Sequence, residues 1–542
     1  MFQTVHLILE DTQYHYKMRT LCFLLICAII GCRDKQPPAP PFENPLYELP
    51  EDKYGFFHRE IMMMQQVSDE AFYNAIPNKE TQKIINLYRR AKNDQGFNLK
   101  SFLEEHFELG EEKEFEFDPD EYNNIDDYAV GVLEALKRPA DPEQKEGSGI
   151  IALPHPYIVD ELQDAHIEYW GSYFTMLGLK ELGDIETIQH MVDNYAHLID
   201  KIGHVPYTNR TYNTSRSQPP FFTMMVELLS EVTGERQIVN YLSQIEREYE
   251  YWMKMSDVVD DDNVDSLKVV QVEATILNRY RDENIWPRPE QYRNDISMAS
   301  NVDWRPDWEV FRDLRSASES GWNFTMRWFD GRWRNSINNS EILPVDLNAI
   351  LFHIEEVLAR AHEENGNTSS AAQYRSAAEQ RKNAINSIFW DEERGIYDDY
   401  DYGETALRDR PSLAMMFPLY FNMADQEQAD SVIAFVKKEM VAKGGVASTA
   451  METRQRWDYP EGWPHLHWIT IQAMENYGYS DDAKDIAEDW IELNERIYDD
   501  FKRFLERYNV VSPGDIDLWD DYPIGYGPTI GVYLALNEYL VD

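Results

Sequence analysis

The chain has 542 residues, of which 98 are acidic and 51 basic, for a formal net charge of −47. A field of that sign repels nucleic acid and anionic membrane surfaces and argues against direct binding to either. The acids are spread along the chain rather than gathered into a tail, as on a solvated surface.

The three cysteines, Cys22, Cys27 and Cys32, all lie near the N-terminus, so the remainder carries no disulfide or thiol chemistry. Arg19 is followed by an apolar run over 21–30, too short to span a membrane as a stable helix, and then by Ile29-Ile30-Gly31-Cys32. This reads as an export signal. Ile-Ile-Gly-Cys resembles a bacterial lipobox, which makes Cys32 the lipidation candidate and implies a membrane anchor on the periplasmic or cell-surface side. The plainer alternative is an ordinary signal peptide with a chance cysteine. Residues 1–17 fit a signal poorly, and Met18 is an alternative start. The expected organisation is a signal over 1–32, a Pro-rich tether over 33–46 and one domain over 47–542, with an N-terminal arm at about 47–145.

From about Tyr47 the hydrophobic spacing is mostly helical. Asp184 caps a run with Ile185, Ile188, Val192, Tyr195 and Ile199, closed by Gly203. Pro219-Pro220 opens the next helix, which ends at Gly234. Further helices are expected over 238–255, after a cap at Asp346, and over 369–389, 412–422, 426–442, 467–477 and 481–508. No fixed repeat length shows, which argues against a regular solenoid. Long helices alternate with loops rich in Trp, Pro, Gly, Arg and acids. That predicts an all-α toroid with its loops meeting at one end.

Aromatic residues make up 13% of the chain, with 14 Trp and 33 Tyr. Bulky core packing accounts for most of them, and a sugar-binding cleft for the rest. Five stretches concentrate such rings with charged and amide groups. They are Leu153-Pro154-His155-Pro156-Tyr157 running on to Glu168-Tyr169-Trp170-Gly171, then Arg216-Ser217-Gln218-Pro219-Pro220, then Arg288-Pro289-Glu290. The fourth is Gly321-Trp322-Asn323-Phe324 with Arg327-Trp328-Phe329, and the fifth Trp457-Asp458-Tyr459-Pro460-Glu461-Gly462-Trp463.

In this order the stretches resemble the trehalases of glycoside hydrolase family 37, from about Asp69 to the C-terminus. The resemblance implies an (α/α)6 barrel and inverting hydrolysis of α,α-trehalose to two glucoses without metal or cofactor. It implies saccharide-binding roles for Trp170, Arg216, Gln218, Arg288, Glu290, Gly321 and Trp457. Each of these also has a plain structural role open to it, such as scaffold ion pairing for Arg216 and Arg288.

The chain departs from the family pattern where the chemistry sits. The family's sugar-binding arginine in the first stretch is Gln163, the aspartate after the tryptophan is Gly171, and the binding asparagine upstream of Arg210 is Tyr207. The general acid position holds Asn323. With a two-residue deletion Asp521 takes the general base position, and without it Trp519 falls there. Asp517, Asp520 and Asp521 are otherwise solvated loop acids. Inverting hydrolysis needs an acid and a base carboxyl about 6.5–9.5 Å apart. An amide in the acid's seat implies trehalose cleavage that is weakened, lost or redirected. The alternatives are a non-catalytic saccharide-binding protein and a glycosidase for another glucoside, with Gln163, Asp164 and Tyr207 as new specificity groups. Asp164 and His166 are further candidates for new polar contacts or a relocated acid. His465 and His467, in a Leu/Trp context, read as loop packing or sugar contacts rather than metal ligands.

Overall fold

The computed structural model describes residues 53–64, 69–109, 117–164, 166–260, 264–513 and 525–541. Cys32, the tether and Asp521 lie outside these residues. The helices named here are Phe56–Met64 (α1), Asp69–Tyr73 (α2), Thr81–Ala91 (α3), Leu99–His106 (α4), Ile125–Leu136 (α5), Tyr169–Glu181 (α6), Ile185–Ile202 (α7), Phe222–Thr233 (α8) and Leu242–Trp252 (α9). They continue with Asp307–Glu319 (α10), Val345–Glu364 (α11), Thr368–Ile388 (α12), Phe417–Tyr420 (α13), Gln426–Glu439 (α14), Pro464–Asn476 (α15), Ser480–Phe501 (α16) and Gly527–Val541 (α17).

Local chemistry sets several of these boundaries. The Asp184 carboxylate accepts from Thr187 N at the start of α7, and Gly203 ends that helix at φ 98°. Asp425 and Gln428 form a reciprocal capping box on α14. Burial then sorts the helices into two rings. Every residue of α6 from Tyr169 to Leu179 is buried, and α8, α11, α13, α15 and α17 are buried around most of their circumference. Between them in the chain come α5, α7, α9, α12, α14 and α16, which bury one face. In α16 that face is Ala483, Ile486, Ala487, Trp490, Leu493, Asn494 and Ile497. Inner and outer helices alternate, which is the (α/α)6 arrangement expected from the sequence. Strands among the described residues are short and pair only in sheets of two or three.

The first and last inner helices, α6 and α17, pack directly on each other. Glycine permits this approach. A Cβ on Gly531 would lie 2.0 Å from the Phe174 carbonyl oxygen, and one on Gly178 would lie 2.7 Å from Gly531 Cα. Helices α1–α4 build a separate small core from Phe57, Ile61, Phe72, Ile84, Tyr88 and Phe102, which also takes in Tyr212 and Tyr292. Helix α5 belongs to the main core. No helix among the described residues is long and apolar enough to cross a membrane.

Some local expectations are corrected. The helix over 238–255 is broken at Tyr241, whose hydroxyl is tied to Asp193 (2.6 Å) and Gln189 (2.6 Å). Over 412–422 a 3-10 turn precedes the single-turn α13, where Pro418 supplies no N–H. Helix α14 stops at Glu439, and Val441–Ala442 pairs with Gly445–Val446. Helix α16 stops at Phe501, because Phe504 and Leu505 turn into the core and Tyr508–Asn509 pairs with Glu461–Gly462. Asp346 is not a cap. It lies inside the first turn of α11, and its carboxylate holds Arg327. His465 and His467 lie on helix α15 rather than in a loop.

Gly531→Ala places a methyl group against main chain that cannot step aside. The expected cost is about 1–3 kcal/mol, read as a lower midpoint in urea denaturation.

Candidate active site

Arg216 and Gln218 lie on the loop before α8, Gly321 and Asn323 on the loop between α10 and α11, and Trp457 on the loop before α15, whereas Trp170 is in the first turn of α6 and Arg288 and Glu290 precede the short helix Tyr292–Ala299. Side-chain contacts join these loops at one end of the barrel. Gln218 is the first link. Its Oε1 accepts from the amides of Tyr169 (2.9 Å) and Trp170 (3.0 Å), capping α6, while its Nε2 reaches Glu168 Oε2 at 3.4 Å. The second link is aromatic. Trp457 stacks on Trp463 (3.8 Å between centroids) and on Trp322 (5.2 Å), and it meets Trp170 at 6.0 Å. Gly321 has φ 77°, and a Cβ there would lie 2.8 Å from Trp170 Nε1, so backbone and space both exclude a side chain.

Arg216 is fully buried under the Tyr207 ring, which lies 4.5 Å from its guanidinium. Its Nη2 donates to Glu290 Oε1 at 2.5 Å, while Nε and Nη1 have no hydrogen-bond partner. Arg288 is committed differently. Nε and Nη2 both go to the Asp295 carboxylate (3.0 and 2.7 Å), and its guanidinium lies 5.1 Å from the Phe324 ring. Asn323 is half-buried between Trp322 and Phe324. Its neighbours are pinned: Asp458 accepts from the Thr325 hydroxyl (2.7 Å) and the Met326 amide, and Trp457 N donates to the Phe324 carbonyl (3.3 Å).

Two carboxyl groups in this cleft are driven apart. Burial, helped by Glu161, pushes Glu168 up to about 7, against the hydrogen bond from Gln218. Burial also opposes ionisation of Glu290, but Arg216 and Arg288 outweigh it and hold that carboxyl at about 2. Near pH 7 one group is therefore about half protonated while the other is anionic, the kind of split that acid–base chemistry uses. Glu319, the carboxylate four residues before Asn323, is committed to the scaffold. It is fully buried, paired with Lys268 (2.6 Å) and accepting from Ser217 N, Arg281 N and the Tyr251 hydroxyl. Burial, with Arg210 nearby, drives His166 down to about 3, so the ring is neutral. His467 is a core residue, bonded to Val446 N and the Trp463 carbonyl and stacked on Trp490. Gln163 is exposed. Among the described residues no group of three or more His, Cys, Asp or Glu is arranged to hold a metal ion.

The trehalase family model matches residues 60–540. The chain belongs to the trehalase family. Periplasmic trehalases of Escherichia coli O139:H28 and K12 are 35% identical to it over 523 residues, 96% of this chain and 91% of theirs. The neutral trehalase of Saccharomyces cerevisiae shares its fold, with a TM-score of 0.60 at 23% identity over 71% of this chain and 73% of its own.

Sequence reading assigned no role to Glu168, Asp160 or Asp295. The signal for the first two was present: Asp160, Glu161, Asp164 and Glu168 put four acids in the nine residues before an apolar helix. A charge run of that kind usually marks a solvated face. Only the packed structure shows that some of it turns inward.

The pH dependence of stability tests the state of Glu168. Below 4.5 its carboxyl is protonated in folded and unfolded chains alike. As pH rises from there through about 7, the unfolded chain loses the proton first, so stability falls across that window. The loss is on the order of 3 kcal/mol. Glu168→Gln is expected to shrink the difference in urea-unfolding free energy between about pH 4.5 and about pH 8 by that order. An unchanged difference would mean that Glu168 titrates as an ordinary glutamate.

Proposed function

We infer that this chain is an exported, trehalase-type glycoside hydrolase homologue. It binds trehalose or a related glucoside beside Trp170, and its hydrolysis of trehalose is weakened by the amide at Asn323. The carrying observation is Arg216, whose buried Nε and Nη1 have no protein acceptor although Tyr207 and Glu290 fix the group in place. Buried donors left unpaired are costly, and sugar hydroxyls are acceptors that satisfy them. The likeness to periplasmic trehalases supports both the substrate class and export.

In this scheme Trp170 and Trp457 pack on the sugar, Gly321 lets the Trp170 ring lie against the main chain, and Gln218, Arg288 and Glu290 shape the polar wall. Asp521 is the proposed base. It would activate a water on the face opposite the leaving oxygen, with room for that water between the two groups. Asn323 stands where a carboxylic acid would protonate the leaving oxygen, and an amide does not supply that proton. Loss of general acid assistance typically costs about 10²–10⁴-fold. A second reading, hydrolysis of a different glucoside, is favoured by one observation: the cleft holds Glu168, a carboxyl that keeps a proton near neutral pH.

Glucose release from trehalose by the purified protein, beside Asn323→Asp, decides between these readings. The substitution is expected to raise kcat by about 10²-fold or more. Full trehalase rates in the unmodified protein would overturn the lost-acid argument. Glucose released from another glucoside but not from trehalose would select the second reading. Binding without cleavage of any glucoside would mark a non-catalytic saccharide-binding protein.

The anchor is tested separately. Cells fed an alkyne-tagged fatty acid are expected to label the protein through Cys32, and Cys32→Ala is expected to abolish the label. Equal labelling of Cys32→Ala would remove the lipoprotein assignment.

A further inference from the structure

The segment entering α6 brings Asp160 to the barrel's interior. Its main chain is fixed from two sides: the Asp160 carbonyl accepts from Gly527 N at the start of α17 (2.8 Å), and Val159 N donates to the Leu136 carbonyl (3.1 Å). Its side chain is 3% exposed, and neither carboxyl oxygen has a hydrogen-bond partner. A Cβ built on Gly171 would lie 2.4 Å from Asp160 Oδ2 and 3.4 Å from its Cγ. The two positions compete for one space next to Trp170. This chain fills it with a carboxyl from 160 and leaves only hydrogen at 171.

That space adjoins the candidate site. Gly171 follows Trp170, and Trp170 is the ring that Gly321 is built to accommodate. The groups whose charge Asp160 feels are Glu168, Asp164 and Glu161, all of them acids. Burial and these neighbours raise its carboxyl well above the usual carboxylate range, so it is both a donor and an acceptor. A buried polar group with no partner costs about 1–3 kcal/mol, and Asp160 presents two such atoms.

We propose that Asp160 is a saccharide-binding residue, its carboxyl group exchanging hydrogen bonds with a sugar hydroxyl beside Trp170. The inference rests on the saccharide reading of this cleft. Both oxygens are shielded from solvent in this conformation.

Calorimetry of the full chain with trehalose and a panel of glucose disaccharides tests this. For whichever saccharide the unmodified protein binds, Asp160→Ala is expected to weaken affinity at least ~10-fold. The paired change Asp160→Ala with Gly171→Asp is expected to recover most of the loss, because a side chain at 171 reaches the same space. Undiminished affinity in Asp160→Ala overturns the inference alone. Diminished affinity that the paired change does not recover makes Asp160 a structural residue and also overturns it. An unmodified protein that binds no saccharide overturns the functional reading and this inference together. One ligand-free measurement checks the shared space: Gly171→Ala is expected to lower Tm in the native background and to have no such effect once Asp160 is alanine. A lowered Tm in both backgrounds would overturn the placement of the Asp160 carboxyl.

Discussion

The candidate site depends on Arg327. Its guanidinium lies 4.4 Å from the rings of both Trp322 and Trp328 and donates to two buried carboxylates, Asp346 and Asp399, with four hydrogen bonds of 2.8–3.1 Å. Asp399 also accepts from Val345 N at the start of α11. One cation thus ties the loop that carries Asn323 to an inner helix and to the turn after the 396–397 strand. Removing one partner from such a buried pair typically costs about 3–5 kcal/mol, because the remaining charge is stranded. Asp458 clamps the same loop from the Trp457 side. Asn323 therefore stands on a stiff frame.

Electrostatics divides the charged residues of the region into scaffold and working groups. Arg288 is spent on Asp295, Lys268 on Glu319 and Arg327 on its two aspartates. Arg216 is the exception, fully buried with two nitrogens unmatched. On the acidic side Glu290 is held ionised by arginines, whereas Glu168 is raised by burial and Glu161, and Asp160 by burial and Glu168. The excess of carboxyl groups over free cations means that part of the cleft carries protons near neutral pH. Sugar hydroxyls, which both donate and accept, fit such a mixture.

The barrel's geometry explains why residues so far apart in sequence meet. Each inner helix is entered by its own loop, and these loops bring Trp170, Gln218, Gly321 and Trp457 into mutual contact. Ring closure rests on Gly178 and Gly531, where the first and last inner helices touch backbone to backbone.

The sequence by itself determined the helical class, the caps at Asp184, Gly203 and Gly234, and the family, because periodicity, capping chemistry and contiguous motifs are local properties. It also pointed to Trp170, Arg216, Gln218, Gly321 and Trp457, whose motifs are short and ordered. Tertiary structure decided the rest. Asp346 reads as a cap from its position, and only the approach of Arg327 from another loop makes it an ion-pair partner. The 238–255 helix reads as continuous, and only the anchor from Tyr241 to α7 breaks it. Asp160 and Glu168 carry no assignment in the sequence, since local sequence cannot say which side of a loop faces water. Burial against Gly171, Gln218 and α17 turned them inward, and a carboxyl group's chemistry follows from the dielectric and the donors around it.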